Sequence, residues 1–249
     1  MDNYLSDDEL ILMRKLGKIA SKFLHELKKF VHPNITTQEI EDYFLFFLKD
    51  YPDVKPAFKG YQGFPSSLCV SINEEVIHGI PSKKRVIREG DLVSVDLGME
   101  RDGFFVDTTM TYSVGKTSKL GRRLIKIGKL ALREGIKRVK LGLRVGDISY
   151  AIQSFVEKRG FSVVREFVGH GIGKKLHLPP AVPNFGEKGQ GEVLKRGMVL
   201  AIEPMITAGS FEVEVLNDGW TVRTKDNSLS CHFEHTVAVT KRGPWVLTE

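Results

Sequence analysis

The sequence predicts an α+β fold in which two similar αβ halves surround a central antiparallel sheet. Three observations predict it: helix pairs recur at a fixed offset, strand pairs follow each helix pair, and the aligned strands carry acidic residues. At 249 residues and 41% hydrophobic, the chain can bury one large core or two fused halves. We predict a single domain over residues 1–249, with halves at approximately 1–115 and 116–249.

The first half opens with two predicted helices. Ser6 and Glu9 form a capping-box pattern before an amphipathic helix that extends to Phe30, and Pro33 follows its end. Its apolar positions recur at three- and four-residue steps and are Leu12, Leu16, Ile19, Phe23, Leu27 and Phe30. The second helix starts near Thr37 and ends before Pro52. Its apolar side consists of Ile40, Phe44, Phe47 and Leu48.

The second half repeats this plan. A helix over about residues 118–140 precedes another, ending at Gly160, whose apolar positions are Ile148, Ile152, Phe155 and Val156. The first three of these follow Ile40, Phe44 and Phe47 by 108 positions. Because solenoids need several copies of a much shorter unit, one repeat at this period predicts a duplicated αβ unit.

Acidic residues occupy aligned positions in the two halves. Asp96 aligns with Glu203 at a shift of 107, and Asp107 aligns with Glu234 at a shift of 127, which implies about 20 additional residues in the second half. A pseudo-twofold arrangement would bring the four carboxylates to one centre. Burying four carboxylates together requires a large compensating positive charge, which metal ions supply.

In the first half, the acids lie on a predicted hairpin over residues 92–114, with its turn near residues 101–103. A turn centred between residues 101 and 102 places Asp96 directly opposite Asp107, whereas centring on residues 102 and 103 makes them diagonal. In both registers the two side chains share a face, because the side-chain period of a strand is two. Each aspartate taken alone is as typical of a residue that solvates a strand or caps a turn as of a functional residue, but an acid within VSVDLG that faces the same way as a second acid favours function.

His170 is the fifth candidate ligand. It is flanked by Gly169, Gly171 and Gly173, which permit the close backbone approach that a crowded site needs. A lone histidine is usually structural, but the glycines and the four acids favour a ligand. Four oxygen ligands and one imidazole suit manganese, iron(II), cobalt or zinc. Two such ions, about 3.5–4 Å apart, activate water and a carbonyl for hydrolysis.

The charge pattern bears on partners and location. The net charge is +6, and one predicted helix concentrates the cationic residues Lys119, Arg122, Arg123, Lys126, Lys129, Arg133, Lys137, Arg138 and Lys140. A solvated helix face is the simpler interpretation. Weak docking to the RNA-rich ribosome is the functional alternative. We expect no DNA partner and no membrane segment. The acidic start and only two cysteines favour the cytoplasm.

Across almost its whole length, the sequence resembles the type I, bacterial-type methionine aminopeptidases. The resemblance is carried by GYQGFPSSLCVSINEEVIHGIP, DGFFVDTT, GHGIG, IEPM and FEHT. It implies the pita-bread (creatinase/aminopeptidase-like) fold, and a metal-dependent hydrolase that removes the initiator methionine from nascent polypeptides when the second residue is small. It also implies two divalent ions, which could be cobalt, manganese, iron(II) or zinc.

The resemblance further implies a role for each ligand. Asp107 and Glu234 would bridge the two ions, Asp96 would complete the shell of one ion, and His170 and Glu203 would complete the other.

The family pattern places two more histidines at the substrate. Glu203 would shuttle the proton, His177 would donate to the oxyanion, and His78 would hold the amide nitrogen beyond the scissile bond. The methionine pocket would comprise Tyr61, Phe64, Cys69 and Trp220, with Phe58 and Leu176 as further candidates. Ordinary core packing is the alternative interpretation of these pocket residues.

Three positions depart from the family pattern. Leu176 stands where an aromatic residue is frequent, Leu178 where glutamate is common and His232 where glutamine is common, and the last could perturb Glu234 electrostatically. Rival interpretations are a prolidase or proline aminopeptidase, a type II methionine enzyme, and a non-catalytic binding module. The prolidases share the five ligands but usually carry an extra N-terminal domain, whereas here we expect the first helix to begin at once. The short spacing from His170 to Glu203 disfavours type II, and the five ligands with both auxiliary histidines disfavour a binding module. Family analogy predicts a monomer.

Overall fold

The computed structural model describes residues 4–249, which form four α-helices and fifteen β-strands. The helices are α1 (Asp7–Phe30), α2 (Thr37–Phe47), α3 (Lys119–Ile136) and α4 (Val145–Glu157). The strands are β1 (Lys55–Pro56), β2 (Cys69–Ile72), β3 (Glu75–Ile77), β4 (Leu92–Arg101), β5 (Phe104–Ser113), β6 (Ser162–Val163), β7 (Gly169–Gly171), β8 (Leu178–Val182), β9 (Val199–Ile202), β10 (Met205–Thr207), β11 (Val213–Val215), β12 (Val222–Thr224), β13 (Ser230–His232), β14 (Glu234–Thr240) and β15 (Gly243–Val246). Within residues 4–249, no helix is both long and apolar enough to span a membrane.

The first helix pair closely follows the predicted boundaries. The capping box at the start of α1 is confirmed: the Ser6 amide donates to Glu9 Oε2 at 2.8 Å, and the Glu9 amide donates to Ser6 Oγ at 3.3 Å. The prediction for Leu12 was wrong, because this side chain is 44% exposed. The buried stripe instead includes Leu10 and Met13, since those positions face the sheet. α2 buries Ile40, Phe44 and Phe47, as its pattern predicted.

The second helix pair is also confirmed. α3 ends at Ile136, four residues before the predicted end, and Ser118 caps its start by accepting from the Gly121 amide at 3.0 Å. α4 buries Ile148, Ile152 and Val156. The two helix pairs cover separate apolar clusters, one with α1 and α2 and the other with α3 and α4.

A nine-stranded sheet forms the centre of the molecule, and the α+β fold class is confirmed. Its main path runs β1-β4-β5-β14-β9-β7-β8, with β2 paired to β4 and β15 paired to β14. Four antiparallel neighbours, β4, β5, β14 and β9, therefore lie side by side in the middle. There are two smaller sheets, β13-β10-β6 and β11-β12-β3. In each, two of the three strands come from the segment between β9 and β14.

The β4–β5 hairpin resolves the alternatives left by the sequence. Arg101 pairs with Phe104, so the turn residues are Asp102 and Gly103. Their φ angles are 54° and 77°, both in the left-handed region, which matches the right-handed twist of the flanking strands. Asp96 pairs with Thr109 and Gly98 pairs with Asp107, so the two aspartates are diagonal neighbours on one face.

Candidate functional site

The four acids predicted from the sequence converge on one face of the central sheet. Asp96 lies on β4, Asp107 on β5, Glu234 at the start of β14, and Glu203 directly after β9. Because these strands are consecutive neighbours, each contributes one carboxylate to the same place. Asp107 and Glu234 are 4% and 2% exposed, so their carboxylates are removed from water.

Thr109 connects the acids of the two halves. Its Cα pairs with Asp96 on one side and with Glu234 on the other. The Thr109 hydroxyl lies 2.7 Å from Asp96 Oδ1 and 2.8 Å from Glu234 Oε2, within hydrogen-bond distance of both. The sequence analysis missed this residue, although its two-residue spacing from Asp107 puts both side chains on one face of the strand.

Another threonine holds β5 to β14 beside the site. The Thr236 hydroxyl accepts from the Asp107 amide at 2.9 Å and donates to the Asp107 carbonyl oxygen at 2.7 Å. From the opposite face of β5, the Thr108 hydroxyl donates to the Glu234 carbonyl oxygen at 2.9 Å. The backbones that carry these two acids are thus fixed by side chains as well as by the sheet.

His170 faces the carboxylates from β7 and is 8% exposed. Its Nδ1 lies 2.9 Å from the Gly171 carbonyl oxygen, and because a carbonyl can only accept, Nδ1 carries the proton. Nε2 therefore presents a lone pair, 3.7 Å from Glu203 Oε1 and 3.9 Å from Asp107 Oδ2. Burial lowers the pKa of His170 to about 3, which favours the neutral form that binds metals.

The flanking glycines explain how this histidine fits. A Cβ on Gly169 would lie 2.3 Å from the Ala201 carbonyl oxygen, and one on Gly171 would lie 2.3 Å from the Pro179 carbonyl oxygen. β7 is therefore tightly enclosed by β8 and β9. Close approach of the backbones brings His170 next to Glu203, which follows β9.

The acids cannot all be ionised without a cation. Burial, followed by repulsion from neighbouring acids, raises the pKa of Asp107, Glu203 and Glu234 well above their ordinary values. Burial also raises the pKa of Asp96, but His232 and the Thr109 hydroxyl act in the opposite direction. This mutual repulsion is the electrostatic signature of a site that binds positive charge.

The donor set fits a divalent metal. Asp107, His170 and Glu234 each offer one ligand atom within 4.8 Å of the others. Asp107 Oδ1 and Glu234 Oε1 are buried and have no hydrogen-bond partner among the described residues. Such orphaned carboxylate oxygens, beside a histidine whose free nitrogen faces them, suit manganese, iron, cobalt or zinc better than calcium.

A cavity of about 220 Å³ opens onto the ligands. It contacts all five predicted ligands and both auxiliary histidines. Its remaining lining is largely aromatic and apolar and comprises Phe58, Tyr61, Gln62, Phe64, Cys69, Leu176 and Trp220. All predicted pocket residues thus line one space, and Gln62 is an addition that no sequence pattern had indicated. The Phe64 and Trp220 rings meet edge to face at 5.1 Å.

The two auxiliary histidines lie on different sides of the cavity. His78 has a φ of 57°, and its ring lies edge-on to Phe167 at 5.8 Å and to Trp220 at 6.5 Å. Burial lowers the pKa of His78 to about 4. The His177 ring lies 4.1 Å from His170 and 5.1 Å from Tyr61, and burial lowers its pKa as well. Both rings are therefore neutral near pH 7.

Two of the departures from the family pattern lie close to the site. Leu176 is buried in the cavity wall, and His232 is 2% exposed on β13. His232 Nε2 lies 3.5 Å from Glu203 Oε2. Leu178 begins β8, next to the chain segment that carries His177.

The chain has close counterparts among known proteins. The model of metallopeptidase family M24 matches residues 11–241. The methionine aminopeptidase of Clostridium acetobutylicum is 47% identical over 98% of this chain and 97% of its own length. Methionine aminopeptidase 1 of Bacillus subtilis is 46% identical, covering 96% of each chain.

Solved structures agree. The crystal structure of methionine aminopeptidase from Thermotoga maritima superposes with a TM-score of 0.97 at 44% identity, over 100% of both chains. The Pyrococcus horikoshii prolidase superposes with a TM-score of 0.79 at 23% identity, over 99% of this chain and 63% of that one. The similarity to the prolidase concerns the fold alone. Both structures agree with the predicted pita-bread architecture.

Proposed function

This chain belongs to metallopeptidase family M24 and, within it, to the methionine aminopeptidases, and we propose that its five clustered ligands hold two divalent ions for that reaction. The chain is accordingly a metal-dependent hydrolase that removes N-terminal methionine. The observation that carries this conclusion is the buried Asp/His/Glu cluster at the end of an aromatic cavity. Neither feature alone would specify the reaction.

We assign the ligands by their positions in the cluster. Asp107 and Glu234 lie at its centre, each with one orphaned oxygen, and would be the central ligands of the ions. Asp96, joined to Glu234 through Thr109, would complete one shell, and His170 with Glu203 would complete the other. When bound, divalent ions supply positive charge that acidifies water and polarises the scissile carbonyl.

Glu203 is the proposed proton carrier. It would accept a proton from the attacking water and deliver it to the leaving amine. Its carboxyl lies beside His170, at the edge of the ligand cluster and on the wall of the cavity. Burial and the nearby Asp96 raise the affinity of Glu203 for a proton, which suits a group that must hold one briefly.

The two auxiliary histidines act on the peptide bond. His177 would donate an N–H to the developing oxyanion, which strengthens as negative charge forms on that oxygen. His78 would accept from the amide N–H beyond the scissile bond. Accepting an N–H requires a neutral imidazole at His78, which the lowered pKa of His78 supports, and a neutral His177 still carries one N–H to donate.

The cavity supports methionine as the first residue. Tyr61, Phe64 and Trp220 present aromatic surfaces, and Cys69 adds a buried sulfur opposite Asp96. Such surfaces accommodate an unbranched thioether well. A free amino terminus would lie near Asp96, and the limited cavity volume favours a small second residue.

We further propose that the substrates are nascent polypeptides in the cytoplasm and that the enzyme acts as a monomer. Two buried free cysteines, Cys69 and Cys231, are compatible with a reducing compartment. Light scattering of the purified protein tests the monomer, and a dimer mass would contradict it.

The cationic face of α3 is the proposed site of weak ribosome contact. Lys119, Arg122, Lys126 and Arg133 are all exposed on this helix. Co-sedimentation with ribosomes should decrease as salt rises, and a Lys126→Glu, Arg133→Glu double variant should bind less. Equal binding by the double variant, with methionine release intact, would exclude this face.

The test of the function is metal reconstitution. The protein is stripped with a chelator, reloaded separately with manganese, cobalt, iron(II) or zinc, and assayed for methionine release from Met-Ala-Ser, Met-Lys-Ser and N-acetyl-Met-Ala-Ser. We expect metal-dependent release from Met-Ala-Ser alone. Calorimetry should count two ions per chain, and one ion at full activity would contradict the dinuclear assignment.

Two further measurements distinguish the rival functions. Cleavage of Ala-Pro-Ser in place of Met-Ala-Ser would indicate proline-specific activity. Peptide binding without hydrolysis under every metal would indicate a binding module.

A further inference from the structure

We propose that His232 is a positioning residue that fixes the orientation of the Glu203 carboxylate. The inference deepens the proposed function and rests on the role of Glu203 in it. Its basis is that the two oxygens of Glu203 lie between two imidazoles. Oε1 is 3.7 Å from His170 Nε2, and Oε2 is 3.5 Å from His232 Nε2.

The His232 ring has little freedom to move. The side chain is 2% exposed, and its residue pairs with Met205 across β13 and β10. On the other side, the His232 amide donates to Thr111 Oγ1 at 3.0 Å, and its carbonyl oxygen accepts from the same hydroxyl at 2.7 Å. Thr111 is itself held by Ser94 at 2.8 Å, so the backbone is fixed from two strands.

The free ring nitrogen identifies the contact. His232 Nε2 is buried and has no hydrogen-bond partner among the described residues. Buried polar atoms are nearly always satisfied, and Glu203 Oε2 lies within ion-pair distance of this one. We infer that Nε2 carries the proton and that a small adjustment of the carboxylate completes an N–H to Oε2 hydrogen bond.

This contact would give the two oxygens of the Glu203 carboxylate different roles. Oε1 faces His170 and the ligand cluster, whereas Oε2 is held by His232 on the other side. A glutamate without that partner could rotate and present either oxygen, or both, to the ligand cluster. His232 would therefore keep one oxygen in the position from which a proton is accepted and released.

Three variants separate positioning from packing. His232→Gln keeps an N–H donor, and His232→Leu removes the donor at similar volume. Cys231→Ala is the matched packing control, because Cys231 precedes His232 on β13, is fully buried, and places Sγ 3.6 Å from the Leu124 carbonyl oxygen, away from the site. Should the leucine variant fail to fold, His232→Asn, whose amide is too short to reach Glu203, replaces it.

We expect the leucine variant to lower kcat about 30-fold with KM changed less than about twofold, and the glutamine variant to stay within about threefold of the parent. A second readout is the visible absorption of the cobalt-loaded proteins, which reports ligand geometry without turnover. The leucine variant should shift the cobalt bands, and the glutamine and Cys231→Ala proteins should match the parent spectrum.

The proposal is overturned if the leucine variant keeps kcat within twofold, if glutamine and leucine lose activity equally, or if the cobalt spectra of all variants coincide. Failure of the parent protein to release methionine would instead overturn the proposed function. In that event the cobalt spectra alone decide whether His232 orients Glu203.

Discussion

Asp96 and Asp107 lie on one hairpin, joined by the two-residue turn of Asp102 and Gly103. Glu203 and Glu234 lie on strands that are also neighbours, but four short strands, β10 to β13, separate them along the chain. The first pair of acids is therefore placed by local geometry. The second pair depends on contacts between distant segments, and the intervening chain also brings other groups to the cavity.

The difference has a functional consequence. The hairpin supplies two acids and no other member of the cavity lining, whereas the segment between β9 and β14 contributes Trp220 to the cavity and His232 to the side of Glu203. Under the proposed function, one region would thus give a pair of ligands, and the other would combine ligands with substrate recognition. Substitutions in the two regions should be distinguishable by experiment.

The largest effect on activity should come from neutralising one central acid in each region, Asp107 on the hairpin and Glu234 on β14. Asp107→Asn and Glu234→Gln are each expected to lower kcat/KM at least about 10³-fold, because under the proposed ligand roles the loss of a central carboxylate would remove several kcal/mol of charge stabilisation. The metal-free proteins should be at least as stable as the parent, since a neutral amide replaces an acid that repels its neighbours. Methionine release and thermal unfolding measure the two effects. Retention of a tenth of the activity at saturating metal would refute the proposed ligand roles of Asp107 and Glu234.

The next largest effect should be a dependence of the stability of the metal-free protein on pH. The pKa values of Asp107, Glu203 and Glu234 are raised in the folded state, so folding takes up protons. Such groups stabilise the fold below their unfolded pKa, and this stabilisation is lost as pH rises through the folded pKa. Above about pH 7.5 the histidines are neutral in both folded and unfolded chains and add no slope.

We therefore expect the chelated protein to lose stability as pH rises through the raised pKa values of these acids, at up to about 1.4 kcal/mol per pH unit for each proton released. The manganese-loaded protein should show a flat profile. The comparison is sharpened by Glu203→Gln, which should remove more of the slope than Asp96→Asn, because His232 and Thr109 favour the charged form of Asp96. Equal slopes with and without metal would contradict the charge argument.

Thr109→Val tests the link between the two pairs of acids. Losing the hydroxyl beside Asp96 and Glu234 should lower metal affinity about tenfold and stability by about 1–3 kcal/mol. Thr108→Val is the matched control on the opposite face of β5, where the hydroxyl contacts only the Glu234 carbonyl oxygen. It should cost similar stability but leave metal affinity unchanged. Calorimetry that shows the same affinity loss for both variants would exclude a specific link.

The smallest effect concerns two turns, one in each region. Gly103 and Gly219 both have φ of 77°, and a Cβ at either position would meet nothing within 4 Å. Each alanine variant should lose about 1 kcal/mol through backbone strain alone. Gly219→Ala should also raise KM a few-fold, because Trp220 follows it, whereas Gly103→Ala should leave KM unchanged. Equal KM values would show that the pocket does not depend on the β11–β12 turn.

Much of the fold was predictable because its signals are local. Capping at Ser6, the apolar steps of α2 and α4, and the shared face of Asp96 and Asp107 all follow from helical and strand periodicity. Leu12 shows the limit of such patterns. An apolar residue at helical spacing satisfies the pattern, but only the orientation of α1 against the sheet decides which side is buried.

The sequence by itself determined the four helices, the first hairpin, the fold class and the identity of the four acids and one imidazole that meet at the sheet. Only the tertiary structure decided that the hairpin turns at Asp102 and Gly103, that Thr109 joins the acids of both regions, and that His232 lies beside Glu203. The physical reason is the range of the interactions. Periodicity and capping act over a few residues, whereas the pairing of β14 with β5 and β9 joins segments far apart in the chain, and no local pattern encodes that distance.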